Sequence, residues 1–137
     1  MKNKNLVNDI KFWVDQNIIH CSIPNGFEEH SLEEDIEALF FNAISTLSND
    51  RYMPIMIDIQ AVNFLLSVKL FKLLSSNALI NTAVLSKTFL VNSFVLKAYL
   101  SLYNFTNDPI VPNAIFNNDT AAMTYCDHKI MVFNALS

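Results

Sequence analysis

The chain has 137 residues, which suits one domain with a sizeable core, and 52% of its residues are hydrophobic while only 16% are charged. This composition excludes a disordered chain, and the net charge of −4 gives no basic surface for nucleic acid or an anionic membrane. We therefore expect a single domain over residues 1–137.

The start of the chain contains lysines but no apolar stretch of signal-peptide length. The most hydrophobic region, residues 82–103, is interrupted by Lys87, Asn92 and Lys97, so it falls short of the ~18 apolar residues that span a bilayer. The two cysteines are too few for a disulfide framework. These features predict a soluble, cytoplasmic protein with reduced thiols and no transmembrane segment.

The first elements along the chain are two strands and a helix. Residues 10–14 and 18–23 are rich in β-branched and aromatic side chains, and the turn-forming residues between them predict a β-hairpin. A break at residues 24–26 follows. Ser31 and Glu34 then form a capping box, which predicts the start of an amphipathic helix with apolar residues at spacings of three and four.

Three strand-and-helix units make up the rest of the chain. They are strand 54–60 with a helix from about Ser67 to Ser76, strand 84–91 with helix 93–105, and a short strand 114–116 with a helix from Asp119. Such alternation implies crossover connections and a mostly parallel sheet, with one antiparallel strand from the opening hairpin. The predicted fold class is α/β, in the order β-β-α-β-α-β-α-β-α.

The second half of the chain carries short motifs at its strand and helix junctions. They are Val91-Asn92-Ser93 after a strand, the turn Asn107-Asp108-Pro109, and Ile115-Phe116 before Asn118-Asp119. With the order of elements, these motifs resemble the STAS domain of bacterial anti-sigma-factor antagonists and sulfate-transporter tails, and within it a bacterial group described as STAS/SEC14-like. That group has no assigned biochemical activity, so the resemblance implies a fold more than a function.

The resemblance also bears on a phosphorylation switch. Anti-sigma-factor antagonists carry Asp-Ser-Ser-Gly at the start of the helix after the second parallel strand, and the second serine is phosphorylated. The matching residues here are Leu66, Ser67, Val68 and Lys69, so only the first serine agrees. Because valine has no hydroxyl, the resemblance predicts that the switch is absent.

Polar residues at two strand-to-helix junctions form a candidate site. Ligands of parallel sheets bind at such junctions, so Ser67 and Ser93 are expected to lie close together, either beside a bound anion or simply as helix N-caps. Asp58, inside an apolar strand, is a ligand contact, an acid with a raised pKa, or an acceptor for a loop at the strand end. No second carboxylate is placed beside it, so we expect no enzyme.

Metal and nucleotide motifs are missing from the sequence. His20, His30 and His128 do not combine with the two cysteines in any zinc-binding spacing. Gly26 is the only glycine, which excludes a nucleophile elbow, a dinucleotide fingerprint and a phosphate loop. We therefore expect neither a metal nor a cofactor.

The second and third helices carry more apolar residues than covering a sheet requires. The third helix is expected to face the sheet with Val95, Ala98, Tyr99 and Leu102, which leaves Phe94, Leu96, Leu100, Tyr103 and Phe105 as a surplus. The second helix is expected to cover the sheet with Val68, Phe71 and Leu74, which leaves Leu70 and Leu73. Either another subunit or an apolar ligand covers this surplus, or the two helices absorb it against each other and the irregular segment 77–82.

These patterns predict a non-enzymatic STAS-like interaction module that binds a protein partner or itself as a homodimer. The alternative is a small-molecule or lipid-binding protein with an apolar cavity under the second and third helices. The candidate ligand- or partner-binding residues are Asp58, Ser67, Leu70, Leu73, Asn92, Ser93, Phe94, Leu96, Leu100 and Tyr103.

Overall fold

A computed structural model describes residues 10–27, 35–107 and 111–136, which form a five-stranded sheet and five helices. The strands are β1 (Lys11–Asp15), β2 (Ile18–Ser22), β3 (Met53–Asp58), β4 (Val84–Leu90) and β5 (Asn113–Phe116). The helices are α1 (Ile36–Ser48), α2 (Phe64–Ser76), α3 (Ala78–Asn81), α4 (Phe94–Asn107) and α5 (Asp119–Leu136). The α/β class and the predicted alternation are confirmed, and α3 is a short helix where we expected irregular chain.

The strands lie in the sheet in their chain order, from β1 at one edge to β5 at the other. β1 pairs antiparallel with β2, and every later neighbour is parallel. Because crossovers between parallel strands are right-handed and the strands advance in one direction, the helices between them fall on one face of the sheet. α5, which follows the last strand, packs on the other face against β3 and β4.

The opening hairpin is confirmed, and its turn explains why it forms. Gln16 and Asn17 have φ angles of 55° and 64°, so both turn residues are left-handed. A two-residue turn of this kind matches the natural twist of two antiparallel strands, and asparagine tolerates that conformation well.

Alternate residues of the central strand divide the core into two layers. Ile55 and Ile57 point into a large cluster that includes residues of α1 through α4, whereas Met56 joins a smaller cluster under α5. Phe71 of α2 meets Phe89 of β4 edge to face, with ring centroids 4.7 Å apart. Each such fully buried side chain contributes about 1.5–3 kcal/mol to folding.

Two helices begin at places that the sequence did not predict. α1 begins at Ile36 after Asp35, whose side chain accepts the Ala38 N–H at 3.4 Å. The predicted capping box at Ser31 and Glu34 lies outside the described residues. α2 begins at Phe64, three residues before the predicted start at Ser67.

α5 is the longest helix of the described chain, with 18 residues, and lies on the face of the sheet opposite the crossover helices. Its buried residues, Ala122 and Cys126, recur at a spacing of four and point at the sheet. In the described part of the chain, none of the helices combines the length and the hydrophobicity that crossing a membrane requires.

Candidate functional site

Asp58, at the carboxyl end of β3, is held by the loop that follows it. Its Oδ1 accepts the backbone N–H of Gln60 at 2.9 Å and the side-chain amide of Gln60 at 3.2 Å. The side-chain amide of Asn92 donates to the carbonyl of Gln60 at 2.8 Å. Asp58 is therefore the loop acceptor that one of the alternatives predicted, and Asn92 ties the loop after β3 to the loop after β4.

Ser67 lies inside α2, and the prediction that the helix begins there is wrong. Asn63 is the N-cap, and its Oδ1 accepts the Leu66 N–H at 2.9 Å. Ser67 is fully buried, and its hydroxyl donates to the carbonyl of Val62 at 3.3 Å. Because Asn63 caps the helix, α2 begins at Phe64 and Ser67 lies in its second turn. The Ser67 hydroxyl is therefore neither a cap nor a contact for an anion at the helix start.

Ser93 is the N-cap of α4, as the capping alternative predicted. Its Oγ accepts the Leu96 N–H at 3.1 Å. A serine cap of this kind stabilises a helix by about 1 kcal/mol, which explains the residue without a ligand. Val68, which the resemblance to the antagonists matches to their phosphoserine, is buried against the core.

Both cysteines are buried and protonated. Burial raises the pKa of the Cys21 thiol well above its ordinary value, and the nearby Asp58 charge raises it further. Burial also raises the pKa of Cys126, partly offset by the Thr88 hydroxyl 3.6 Å from its sulfur. A thiolate is the reactive form of cysteine, so neither side chain is poised as a nucleophile.

His20 and His128 are the histidines in the described part of the chain. The ring of His20 stacks on Trp13 with centroids 5.3 Å apart, and His128 is exposed on α5. His30 lies outside the described residues. Across the ranges that the structure describes, no three histidine, cysteine or carboxylate side chains come together as a metal site.

α4 faces the sheet with a different stripe of residues from the one predicted. Leu96 and Leu100 are fully buried, and Tyr103 is half-buried against the core. The residues predicted to face the sheet, and two of the predicted surplus, are exposed: Val95, Ala98, Tyr99 and Leu102 with Phe94 and Phe105. Both stripes are apolar at helical spacing, so periodicity alone could not choose between them.

The apolar residues that were predicted to be surplus on α2 are also placed differently from the expectation. Leu70 is fully buried and Leu73 is half-buried against the core, so the part of the surplus predicted on α2 is absorbed by the fold. The exposed apolar residues of α2 are instead Phe64 and Leu65, which precede the predicted helix start. The ring of Phe64 lies 6.0 Å from the ring of Tyr99, so the exposed residues of the two helices adjoin.

We call this region the α2–α4 surface. It consists of Phe64, Leu65, Phe94, Val95, Ala98, Tyr99, Leu102 and Phe105. Among the described side chains of α4, the exposed ones include no charged group, and their only polar members are Ser101 and Thr106. A surface cleft of about 290 Å³ lies here, lined by Tyr99, Leu102, Tyr103 and Thr106.

Lys87 is a buried cation that in the sequence stood out only as an interruption of an apolar stretch. It is fully buried on β4, and its ammonium donates to the Ser75 carbonyl at 2.6 Å and to the side-chain oxygen of Asn81. Burial lowers its pKa from 10.5 to about 8. The signal in the sequence was a single lysine inside a strand of otherwise uncharged residues.

Comparisons of this chain with protein-family models, with curated proteins and with solved structures find no match.

Proposed function

We propose that this protein is a non-enzymatic, STAS-like interaction module that forms a homodimer through the α2–α4 surface. The observation that carries the proposal is the exposed side of α4, where the side chains are mostly apolar and Lys97, the one charged residue of the helix, is half-buried. Helices that cover a sheet within one domain normally present polar residues to water, so a mostly apolar outer side indicates a partner.

The size and shape of the α2–α4 surface suit a second copy of the chain. Phe94 and Phe105 are 71% and 83% exposed, and they lie on one side of α4 with Leu102. Eight such side chains expose several hundred square ångströms, comparable with the ~800 Å² that each partner gives to a stable interface. In a two-fold dimer the same surface of both copies is in contact, so any charge near the centre would face an identical charge. The centre of the α2–α4 surface is uncharged and avoids this repulsion.

A lysine beside this surface is turned toward the protein itself. The ammonium of Lys72 lies 5.0 Å from the centroid of the Tyr103 ring. The Lys72 ammonium therefore lies over the face of an aromatic ring, where a cation is attracted to the ring electrons. The arrangement favours an apolar protein partner over a purely electrostatic one.

A small apolar ligand is the second candidate, because of the cleft beside Tyr99 and Leu102. The space directly under α2 and α4 is occupied by Leu70, Phe71 and Leu100, each fully buried. A ligand would therefore lie in the surface cleft rather than under the helices. Native mass spectrometry of gently purified protein would then show an added non-protein mass.

Light scattering across a range of protein concentrations tests the proposal. We expect a dimer for the natural sequence and a monomer for Phe105→Ser. The matched control is Leu136→Ser on α5, which is also 83% exposed but lies on the other face of the sheet, and it should leave the dimer intact. A monodisperse monomer at high concentration would contradict the proposal, and a monomer that binds vesicles would assign the surface to lipid instead.

A further inference from the structure

A second cleft lies at the end of the sheet where the parallel strands begin. Asp58 lies at the other end, where β3 finishes. The cleft has a volume of about 340 Å³, within the range of small-molecule sites. Its walls come from the hairpin turn at Asn17, the segment Asp50–Met53 that enters β3, and the last turns of α5. None of these residues belongs to the α2–α4 surface, so a ligand in this cleft is independent of the proposed dimer.

Arg51, the only arginine of the chain, lines this cleft. Its guanidinium contacts the sulfur of Met53 at 3.8 Å. Among the described residues no carboxylate forms an ion pair with it, although Asp50 lines the same cleft. A guanidinium presents a fork of donors that matches a carboxylate in two parallel hydrogen bonds, so Arg51 is available to a ligand of that chemistry.

The backbone before Arg51 adopts an unusual conformation. Asn49 and Asp50 have φ angles of 51° and 67°, so two consecutive residues other than glycine are left-handed. The Arg51 N–H donates to the Ser48 carbonyl at 3.1 Å and closes this turn at the end of α1. Asn49 is the left-handed C-cap of α1, and asparagine and aspartate tolerate this conformation at the end of a helix. Asp50, Arg51 and Tyr52 lie at and just after this turn and line the cleft.

Apart from Asn17 and Asn134, the rest of the cleft is apolar and aromatic. The rings of Tyr52 and Phe133 meet edge to face with centroids 6.2 Å apart, and Leu85 and Ile130 lie beside them. Tyr52 is more than half exposed, so its ring is open to a further apolar group. The cleft thus combines a cation, an anion and an aromatic wall within a volume suited to a small molecule.

We propose that this cleft binds an α-amino acid with an aromatic or branched apolar side chain. Arg51 binds the carboxylate, Asp50 binds the ammonium group, and Tyr52 and Phe133 pack against the side chain. A ligand with only a carboxylate would pair with Arg51 and leave the Asp50 charge unpaired. A ligand with only an amine would pair with Asp50 and leave the Arg51 charge unpaired. Only a ligand that carries both charges next to an apolar group pairs with Arg51 and Asp50 and also packs against the aromatic rings.

Titration calorimetry with the full chain tests the proposal, with L-phenylalanine and L-leucine as probes. We expect saturable binding of one molecule per chain for at least one of them. For the probe that binds, the analogues that lack its ammonium group or its carboxylate should each bind at least tenfold more weakly, because each leaves one charge of the cleft unpaired. For L-phenylalanine these analogues are 3-phenylpropionate and 2-phenylethylamine.

Arg51→Gln should weaken amino-acid binding at least tenfold while the far-ultraviolet circular dichroism spectrum stays unchanged. Lys11→Gln is the matched control, because it removes the same charge from the far end of β1 and should leave binding as it was. Absence of saturable binding for both amino acids would overturn the proposal. Equal binding of the amino acid and its two analogues, or full binding by Arg51→Gln, would overturn it as well.

Discussion

The ring of Phe64 lies 6.0 Å from the ring of Tyr99, and this contact joins the first turn of α2 to the middle of α4. Both rings are about half exposed, so they belong to the outside of the helical layer and not to its core. The contact makes one continuous apolar surface out of two helices. That surface would be unusual for a protein that works alone in water.

Two phenylalanines of the same helix should therefore respond differently to truncation. Phe71→Ala removes a fully buried ring and should lower the free energy of unfolding by about 3–5 kcal/mol. Phe64→Ala removes a ring that is 45% exposed, so it should cost under about 2 kcal/mol and should weaken self-association instead. Chemical denaturation measures the first quantity and sedimentation equilibrium the second. A Phe64→Ala protein that dimerises as tightly as the natural one would contradict the assigned surface.

The start of α2 gives a second prediction. Asn63→Ala should lower the free energy of unfolding by about 1 kcal/mol, because it removes the acceptor of the Leu66 N–H. Urea denaturation measures this difference. The control is Asn42→Ala, at an exposed position inside α1, where alanine should be neutral or slightly stabilising. Equal stability of the Asn63→Ala protein and the natural protein would show that the helix is not capped there.

These elements also show what the sequence could and could not predict. The hairpin was predictable because Gln16 and Asn17 determine their turn locally. The start of α2 was missed because Phe64 and Leu65 are exposed and interrupt the expected amphipathic pattern, although the capping residue Asn63 stands before them.

The orientation of α4 was not predictable from periodicity, for a different reason. The stripe through Leu96 and Leu100 and the stripe through Val95 and Leu102 are equally apolar, and only packing on the sheet chooses the first. The prediction of which residues are surplus was wrong for the same reason, since most of those assigned to the surplus on these two helices are core. The cleft at Arg51 was missed because its walls come from four distant segments of the chain.

Asp58 gives a third prediction, which concerns both stability and the thiol of Cys21. Asp58→Ala should lower the free energy of unfolding by about 0.5–1.5 kcal/mol, because it removes the acceptor of the Gln60 N–H. Asp58→Asn keeps an acceptor oxygen and should cost less. Both variants remove a charge that raises the pKa of Cys21, so that pKa should fall toward its ordinary value. Denaturation curves measure the first effect, and the pH dependence of the Cys21 13Cβ chemical shift in NMR spectra measures the second. An unchanged Cys21 pKa would contradict the second.

Lys87 gives the last prediction, on the pH dependence of stability. Burial lowers its pKa to about 8 in the folded protein, whereas in the unfolded chain it stays near 10.5. Between these values the unfolded chain binds more protons, so the contribution of Lys87 to stability rises with pH, by about 3 kcal/mol in total. Below pH 8 both states hold the proton, and the cost of burying the charge is then fully present.

Lys87→Met isolates this contribution, because methionine fills similar space and does not titrate. Burial raises the pKa values of Cys21, Cys126 and Tyr125, so their contributions to stability fall as pH rises. Those groups are present in both proteins, and their effects cancel when the two are compared at each pH. Denaturation from pH 7 to 10.5 should therefore show the natural protein gaining stability relative to Lys87→Met above pH 8. A constant difference across that range would mean that the ammonium is hydrated in the folded protein and that its burial does not control its charge.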